Sequence, residues 1–167
     1  MIKTLSLILA LCALTITSFA ADVASIPWMK TITVAPVAVL QTEGLNGKST
    51  FGAGLDAGVG FNEYVSAHLA LYTYEKNNWR GGAIDEIEAY GKGKISLAKI
   101  FGKQLSLTGK GGAVYDPAHE DYALAVGCGL QLALSSSVSL GADYTVRAWF
   151  QEREADSLAS WFVGWSF

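Results

Sequence analysis

Apolar and polar residues alternate at every second position along most of the chain. In the stretch 49–61, Phe51, Leu55 and Val59 fall on one side of the alternation, while Asp56 and several glycines fall on the other. The closing stretch 159–167 repeats the pattern. Successive side chains of a β-strand point to opposite faces, so this period predicts strands with one apolar face.

The same alternation predicts eight strands over the whole chain. They cover about 31–42, 49–61, 64–75, 84–97, 104–115, one strand on each side of the serines at 135–137, and 159–167. Most have roughly 11 to 14 residues, enough to cross a bilayer when tilted. The run 122–142 is uncharged but alternates, which favours two strands around a tight turn over a membrane helix. Pro36 leaves the inward face of the first strand undefined.

The first 20 residues have the pattern of a cleavable signal peptide. Lys3 precedes an apolar segment, and Ser18-Phe19-Ala20 offers a small-residue cleavage site. An uncleaved anchor is the alternative, and Leu11 before Cys12 argues against a lipid attachment site. We therefore expect a signal peptide at 1–20, a periplasmic arm at 21–30 and a barrel at 31–167.

Composition indicates that the surplus apolar surface faces lipid. Hydrophobic residues make up 51% of the chain, and charged residues 16%, against about 25% in a typical soluble domain. The connections after strands two, four and six are tight, whereas the others hold most of the charged and turn-forming residues. This alternation is typical of an up-and-down antiparallel transmembrane barrel with both termini in the periplasm.

Charge and cysteine usage exclude other classes. The formal net charge is −3 with no basic stripe, which argues against a nucleic-acid partner. Without the leader, Cys128 is the single cysteine, so an internal disulfide cannot form. His119 beside two loop acids is best explained as a solvated residue, so we expect no metal. We also expect no cofactor.

The closing aromatic strand together with the leader resembles the small eight-stranded outer-membrane barrels, the class of the membrane domain of outer membrane protein A. The resemblance implies the outer membrane of a Gram-negative-type cell and a structural or surface-interaction role without enzymatic activity. It also implies lipid contact, recognition of the closing strand by the barrel assembly machinery, and external ligands at loops such as 76–82 and 152–156.

The alternation assigns a charged set to the lumen. Four acids face four bases, with one histidine among them: Asp56, Glu86, Glu88, Asp143, Lys92, Lys94, Lys110, Arg147 and His68. Because eight strands leave an interior that side chains fill, we expect a salt-bridged plug. A narrow small-solute pore is the alternative.

His68 raises a second alternative, a lipid A-modifying hydrolase. A lipid A deacylase family is built on a similar small barrel and uses a histidine, a serine and an acid. This chain lacks the histidine-x-serine pairing expected from that family, and Ser66 belongs to no nucleophile motif. We expect a structural histidine that Glu88 could orient.

Aromatic residues are predicted to mark the two membrane interfaces. The inner set is Phe61, Phe101, Trp165 and Phe167, the outer set is Phe51, Tyr115, Tyr122 and Phe150, and Trp161 lies on the closing strand. A strip of small outward residues is predicted where Ala89, Gly91 and Gly93 neighbour Gly109, Gly111 and Ala113. Either barrel curvature or a contact surface would explain it.

Overall fold

The computed structural model describes residues 29–44, 47–75, 84–151 and 155–167. The expected signal peptide and nearly all of the expected arm lie outside the described residues. So do the whole loop at 76–82, with Trp79 and Arg80, and residues 152–154. The predicted domain boundaries at 20 and 30 therefore stay predictions.

Eight antiparallel strands form one closed barrel, which confirms the predicted fold. The strands are β1 Thr31–Glu43, β2 Ser49–Gly60, β3 Val65–Tyr74, β4 Glu86–Ile100, β5 Lys103–Asp116, β6 Asp121–Ala133, β7 Val138–Trp149 and β8 Asp156–Ser166. Each strand pairs with the next along the chain, and β1 pairs with β8 to close the barrel. Among the described residues, no helix is long and apolar enough to cross a membrane.

Two strand limits differ from those expected. β8 begins at Asp156, a residue expected in a charged loop, because this carboxylate points into the lumen and is bound there by Arg147. β4 continues to Ile100 instead of ending near Leu97, and it passes a register shift between Ser96 and Ala98. The β4–β5 hairpin is therefore longer than predicted.

The barrel has two distinct ends. The turn end holds the connections 61–64, 101–102 and 134–137 together with Phe167, and the loop end holds the other four connections. Phe101 and Gly102 form the tightest turn, and both have positive φ, as a two-residue hairpin turn requires. The connection at 117–120 is as short as two of the turns, so the predicted contrast in length is not uniform.

The two faces of the sheet differ in polarity. Large apolar side chains such as Leu69, Val126 and Val146 are exposed on the outside. The lumen buries charged and polar groups, of which Arg147 and Glu88 are at most 1% exposed. A soluble domain has the opposite arrangement, so the exposed apolar band fits a lipid environment.

The barrel closes at the seam between β1 and β8. Ile32 exchanges both backbone hydrogen bonds with Phe167, at 3.1 and 2.9 Å. The paired register is the same below and above Pro36, but the ladder skips Ala35 and Pro36. Because the hydrogen-bonded positions repeat every two residues, Pro36 stands where an N–H would donate to Val163, and proline has none.

Candidate functional site in the barrel lumen

An arginine crosses the lumen near the loop end. Arg147 on β7 donates to Asp156 Oδ1 and Oδ2 at 2.6 and 2.8 Å and also to Glu86 Oε2. Tyr74 donates to the same Glu86 oxygen at 2.6 Å, and Gln41 donates to Asp156 Oδ2 at 2.8 Å. Five strands therefore meet in one hydrogen-bonded layer, which we call the arginine layer.

Two lysine-centred groups lie below the arginine layer. Lys110 Nζ is 3.1 Å from Glu88 Oε1, and Tyr72 donates to Glu88 Oε2 at 2.9 Å. Closer to the turn end, Lys92 Nζ donates to Asp143 Oδ2 at 2.9 Å, and Thr108 donates to Oδ1 at the same distance. Each ammonium also stands over an aromatic ring, Lys110 over Tyr90 and Lys92 over Phe162. These paired charges fill the middle of the barrel.

The histidine cluster lies beside Lys92 and is built from β2, β3 and β4. His68 Nε2 is 2.8 Å from Ser66 Oγ, and its Nδ1 is 3.1 Å from both carboxylate oxygens of Asp56. Tyr90 donates to Asp56 Oδ2 at 2.8 Å and stacks on the imidazole with ring centroids 4.9 Å apart. Serine, histidine, aspartate and tyrosine thus form a connected chain of side chains.

Local register explains this cluster. Ser66 and His68 are two residues apart on β3, so both side chains face the lumen. Gly58 is the direct β2 partner of His68, and a Cβ there would overlap the imidazole ring. The missing side chain lets the ring lie across β2 and reach Asp56, the diagonal neighbour. Tyr90 is the direct β4 partner of His68, which places the two rings face to face.

A cavity of about 700 Å³ opens from this cluster toward the turn end. Asp56, Ser66 and His68 line its inner part, and Lys92 and Lys94 line it from β4. The remaining lining residues include Asn62, Glu63 and Ser136, all within turn-end connections. The lumen is therefore filled toward the loop end and open at the turn end.

The structure brings together eight of the nine charged residues assigned to the lumen. Lys94 is the exception, since it is exposed at the cavity mouth and has no ion-pair partner among the described residues. The expectation that Glu88 orients His68 is wrong, because Glu88 is bound by Lys110 and Tyr72 while Asp56 takes that role.

Sequence reasoning missed Asp156 and the contact between Ser66 and His68. Asp156 falls in the loop predicted at 152–156, although it is an even number of residues from Ser160 and Phe162 and so shares their face of the strand. The serine and histidine share a face by the same period-of-two rule. Alternation alone could have found both, but the partner of each side chain required the cross-strand register.

The predicted interface aromatics lie at the expected ends of the barrel. Phe61, Phe101, Trp165 and Phe167 are exposed at the turn end, and Phe51, Tyr122 and Phe150 are exposed toward the loop end. Tyr115 is half-buried and stacks on Tyr122 at 4.8 Å between centroids, and Trp161 is exposed along β8. Their contact with membrane interfaces stays a prediction.

The strip of small residues is continuous on the outside. Ala89 pairs with Ala113, Gly91 with Gly111, and Gly93 with Gly109. A Cβ built on Gly91 would come no closer than 4.0 Å to Gly111 O, and one on Gly109 would meet nothing within 4 Å. Space outside the barrel therefore does not require glycine at these positions.

Metal-binding groups are absent from the described part of the chain, where no three or more His, Cys, Asp or Glu side chains stand together in a suitable cluster. His119 Nδ1 lies 2.9 Å from Asp116 Oδ2 in the exposed 117–120 connection. This pair holds the connection in place through an i,i+3 contact.

Comparison with known proteins yields a fold but no sequence family. No family model and no curated protein matches the chain. Neisserial surface protein A (NspA) has a similar structure with a TM-score of 0.54 and 14% identity, covering 82% of this chain and 96% of that one.

Two further structures are similar at the same level. The N-terminal barrel domain of Pseudomonas aeruginosa OprF has a TM-score of 0.52 and 11% identity, covering 81% of this chain and 97% of its own. A de novo designed protein, TMB2.3, has a TM-score of 0.52 and 16% identity, covering 81% and 94%. Because a designed protein matches as well as the natural ones, the likeness establishes architecture and not activity. The chain has the fold of the small eight-stranded outer-membrane β-barrels.

Proposed function

We propose that this protein is an outer-membrane barrel with a structural or surface-interaction role in the cell envelope, and that its lumen is closed to solutes. The exposed apolar band around a closed barrel supports insertion into a bilayer, where open sheet edges are not tolerated. The short turns suit the periplasmic side, and the loop end suits the cell surface. In this orientation the C-terminal end of β8 lies on the periplasmic side, where the barrel assembly machinery would recognise it.

The arginine layer carries the proposal of a closed lumen. Arg147 is 0% exposed, and its guanidinium is bound on two sides by carboxylates from β4 and β8. A layer in which five strands contribute side chains bound to one another supports a barrier to a water column. This observation favours a plug over the small-solute pore.

A surface-interaction role is supported by the position of the loop end. With the lumen closed, contact with external ligands would fall on the loop-end connections, of which 44, 47–48, 75, 84–85, 117–120, 150–151 and 155 are described. The four connections, 44–48, 75–85, 117–120 and 150–155, have 5, 11, 4 and 6 residues, so the contact area is small. A ligand of this kind would bind the rim of the barrel and leave the lumen unchanged.

Planar-bilayer recordings test the closed lumen. We expect purified protein to give no steady nanosiemens current. The double substitution Arg147→Ala with Glu86→Ala removes the centre of the arginine layer and should introduce current if the barrel still folds, whereas Gly91→Ala on the outer face should not. Steady current from the unmodified protein would overturn the plug. Folding is checked by heat-modifiable gel migration.

A further inference from the structure

Ser66, His68 and Asp56 form a hydrogen-bonded chain that opens into the turn-end cavity. We propose that this cluster is a hydrolytic site in which Ser66 attacks small, water-soluble acyl esters. The proposal goes beyond the envelope role, and it does not depend on whether the arginine layer closes the opposite end of the lumen. It replaces the expectation that His68 is only structural.

The hydrogen bonds run from Ser66 to His68 and from His68 to Asp56, the directions expected for a nucleophile and its base. An ionised carboxylate only accepts, so the contacts of 3.1 Å to Asp56 place the hydrogen of neutral His68 on Nδ1. Nε2 is then the acceptor, and the Ser66 hydroxyl can donate to it across 2.8 Å. The competing acceptor, the carbonyl of Lys92, is farther away at 3.4 Å. A serine–histidine–aspartate triad is recognised by this geometry and not by sequence order.

Two further contacts hold the triad in place. Tyr90 stacks on the imidazole with an interplanar angle of 12°, and its hydroxyl binds Asp56 Oδ2 at 2.8 Å. Gly58 has no side chain, so the His68 ring can lie against β2 on the side away from Tyr90. Ser66 and His68 are the catalytic residues of the proposed site, and Asp56 and Tyr90 are positioning residues. A reactive group held by such supporting contacts is already close to its working geometry.

The cavity determines the class of substrate. Ser66 and His68 line it from β3, and its mouth opens at the turn end, away from the lipid-facing surface. Lys92 is the direct cross-strand partner of Ser66, but Asp143 holds its ammonium. Lys94 follows on the same face with its charge exposed, and Lys30 and Glu63 also line the cavity. The two lysines are balanced by Glu63 and Asp56, so size sets the substrate class, and about 700 Å³ limits it to a small ester.

The proposed reaction is ordinary acyl transfer to water. Ser66 Oγ attacks the ester carbonyl while its proton passes to His68 Nε2. The tetrahedral intermediate expels the alcohol, which takes the proton from His68, and leaves an acyl-serine. Water then attacks the acyl-serine with His68 as base, and the acid departs as Ser66 regains its proton.

Labelling with a fluorophosphonate probe tests the site in the refolded full barrel. The probe forms a covalent bond to an activated serine with loss of fluoride, and peptide mass spectrometry identifies the modified residue. We expect stoichiometric labelling of Ser66 and none in Ser66→Ala. His68→Gln should slow labelling about 10²- to 10⁴-fold, the usual contribution of a general base. Ser139→Ala is the matched control, since Ser139 is a lumen serine bound by Gln131 and should leave the rate unchanged.

Ester hydrolysis gives a second measurement. We expect the folded wild-type barrel to cleave 4-nitrophenyl acetate, and Ser66→Ala to abolish that cleavage. Tyr90→Phe keeps the ring but removes the hydroxyl contact to Asp56, so it tests positioning if His68→Gln does not fold. It should lower the rate and change the pH profile, which a purely structural role would leave unaltered. No labelling of folded wild-type barrel, or equal labelling of Ser139, would overturn the proposal.

Discussion

At the scale of single residues, the lumen is organised by glycines that lie opposite large side chains. The His68 ring lies against Gly58, and Tyr90 lies against Gly112. The same cross-strand relation recurs in the pairs Tyr74–Gly52, Tyr72–Gly54 and Phe162–Gly141. An eight-stranded barrel has little interior space, so a ring can lie flat only where the neighbouring strand has no side chain.

A matched pair of substitutions tests this rule on one hairpin. A Cβ on Gly112 would overlap the backbone of Ala89 and Tyr90, whereas a Cβ on Gly91 faces open space outside the barrel. We expect Gly112→Ala to lower the free energy of unfolding by about 1–3 kcal/mol through overpacking. Gly91→Ala should change it by less than about 0.5 kcal/mol. Urea titration with heat-modifiable gel migration measures both, and equal effects would contradict the rule.

The alternation of the sequence identifies most residues of the lumen but not their partners. The period of two assigns Arg147, Lys110 and Asp143 to the lumen without any knowledge of the structure. It cannot choose their partners, because a diagonal contact such as His68 to Asp56 depends on how a ring tilts across Gly58. Asp156 was missed for a related reason: a strand end rich in charge resembles a loop until a buried arginine is found opposite it.

At the scale of strands, β1 is the element whose register the sequence left open. The structure pairs it with β2 over its whole length and places Val37 and Val39 in the lumen. Pro36 points outward. Because proline has no backbone N–H, one hydrogen bond of the ladder with β8 is missing. An ordinary alternation therefore continues through the proline, with a local loss of pairing at the seam.

Restoring the missing donor should strengthen the seam. Pro36→Val supplies an N–H toward Val163 and keeps an apolar side chain on the outer face. We expect the free energy of unfolding to rise by about 1 kcal/mol, the net value of one hydrogen bond. Equilibrium refolding in urea provides the measurement, with Val34→Ile as an outward control that adds no donor. A stability equal to or below that of the wild type would show that the carbonyl of Val163 gains nothing from the added donor.

At the scale of the whole molecule, buried charge ties distant strands together. Gln41, Tyr74, Glu86, Arg147 and Asp156 bring side chains from β1, β3, β4, β7 and β8 into one layer. The layer also joins the two sides of the β1–β8 seam, since Gln41 on β1 binds Asp156 on β8. Backbone pairing closes the wall of the barrel, and this layer braces it from inside.

Replacing Arg147, the centre of the arginine layer, should lower the free energy of unfolding. Arg147→Met keeps the volume but leaves Glu86 and Asp156 buried without their cation, so we expect a loss of about 3–5 kcal/mol in the free energy of unfolding. Lys94→Met is the control, because this lysine is exposed and lacks an ion-pair partner among the described residues. It should change stability by less than about 0.5 kcal/mol. Gel migration across a urea series measures both. A neutral Arg147→Met would mean that the two acids find other partners.

A lumen filled at one end and open at the other is a cup with a single mouth. In an intact outer membrane, the proposed orientation turns that mouth toward the periplasm, and a membrane-impermeant reagent added to whole cells would not reach Ser66. The same reagent would reach it once the envelope is permeabilised. Chemistry in this cavity would therefore act on periplasmic molecules and not on external ones, and the sidedness of the barrel could be measured as the ratio of labelling before and after permeabilisation.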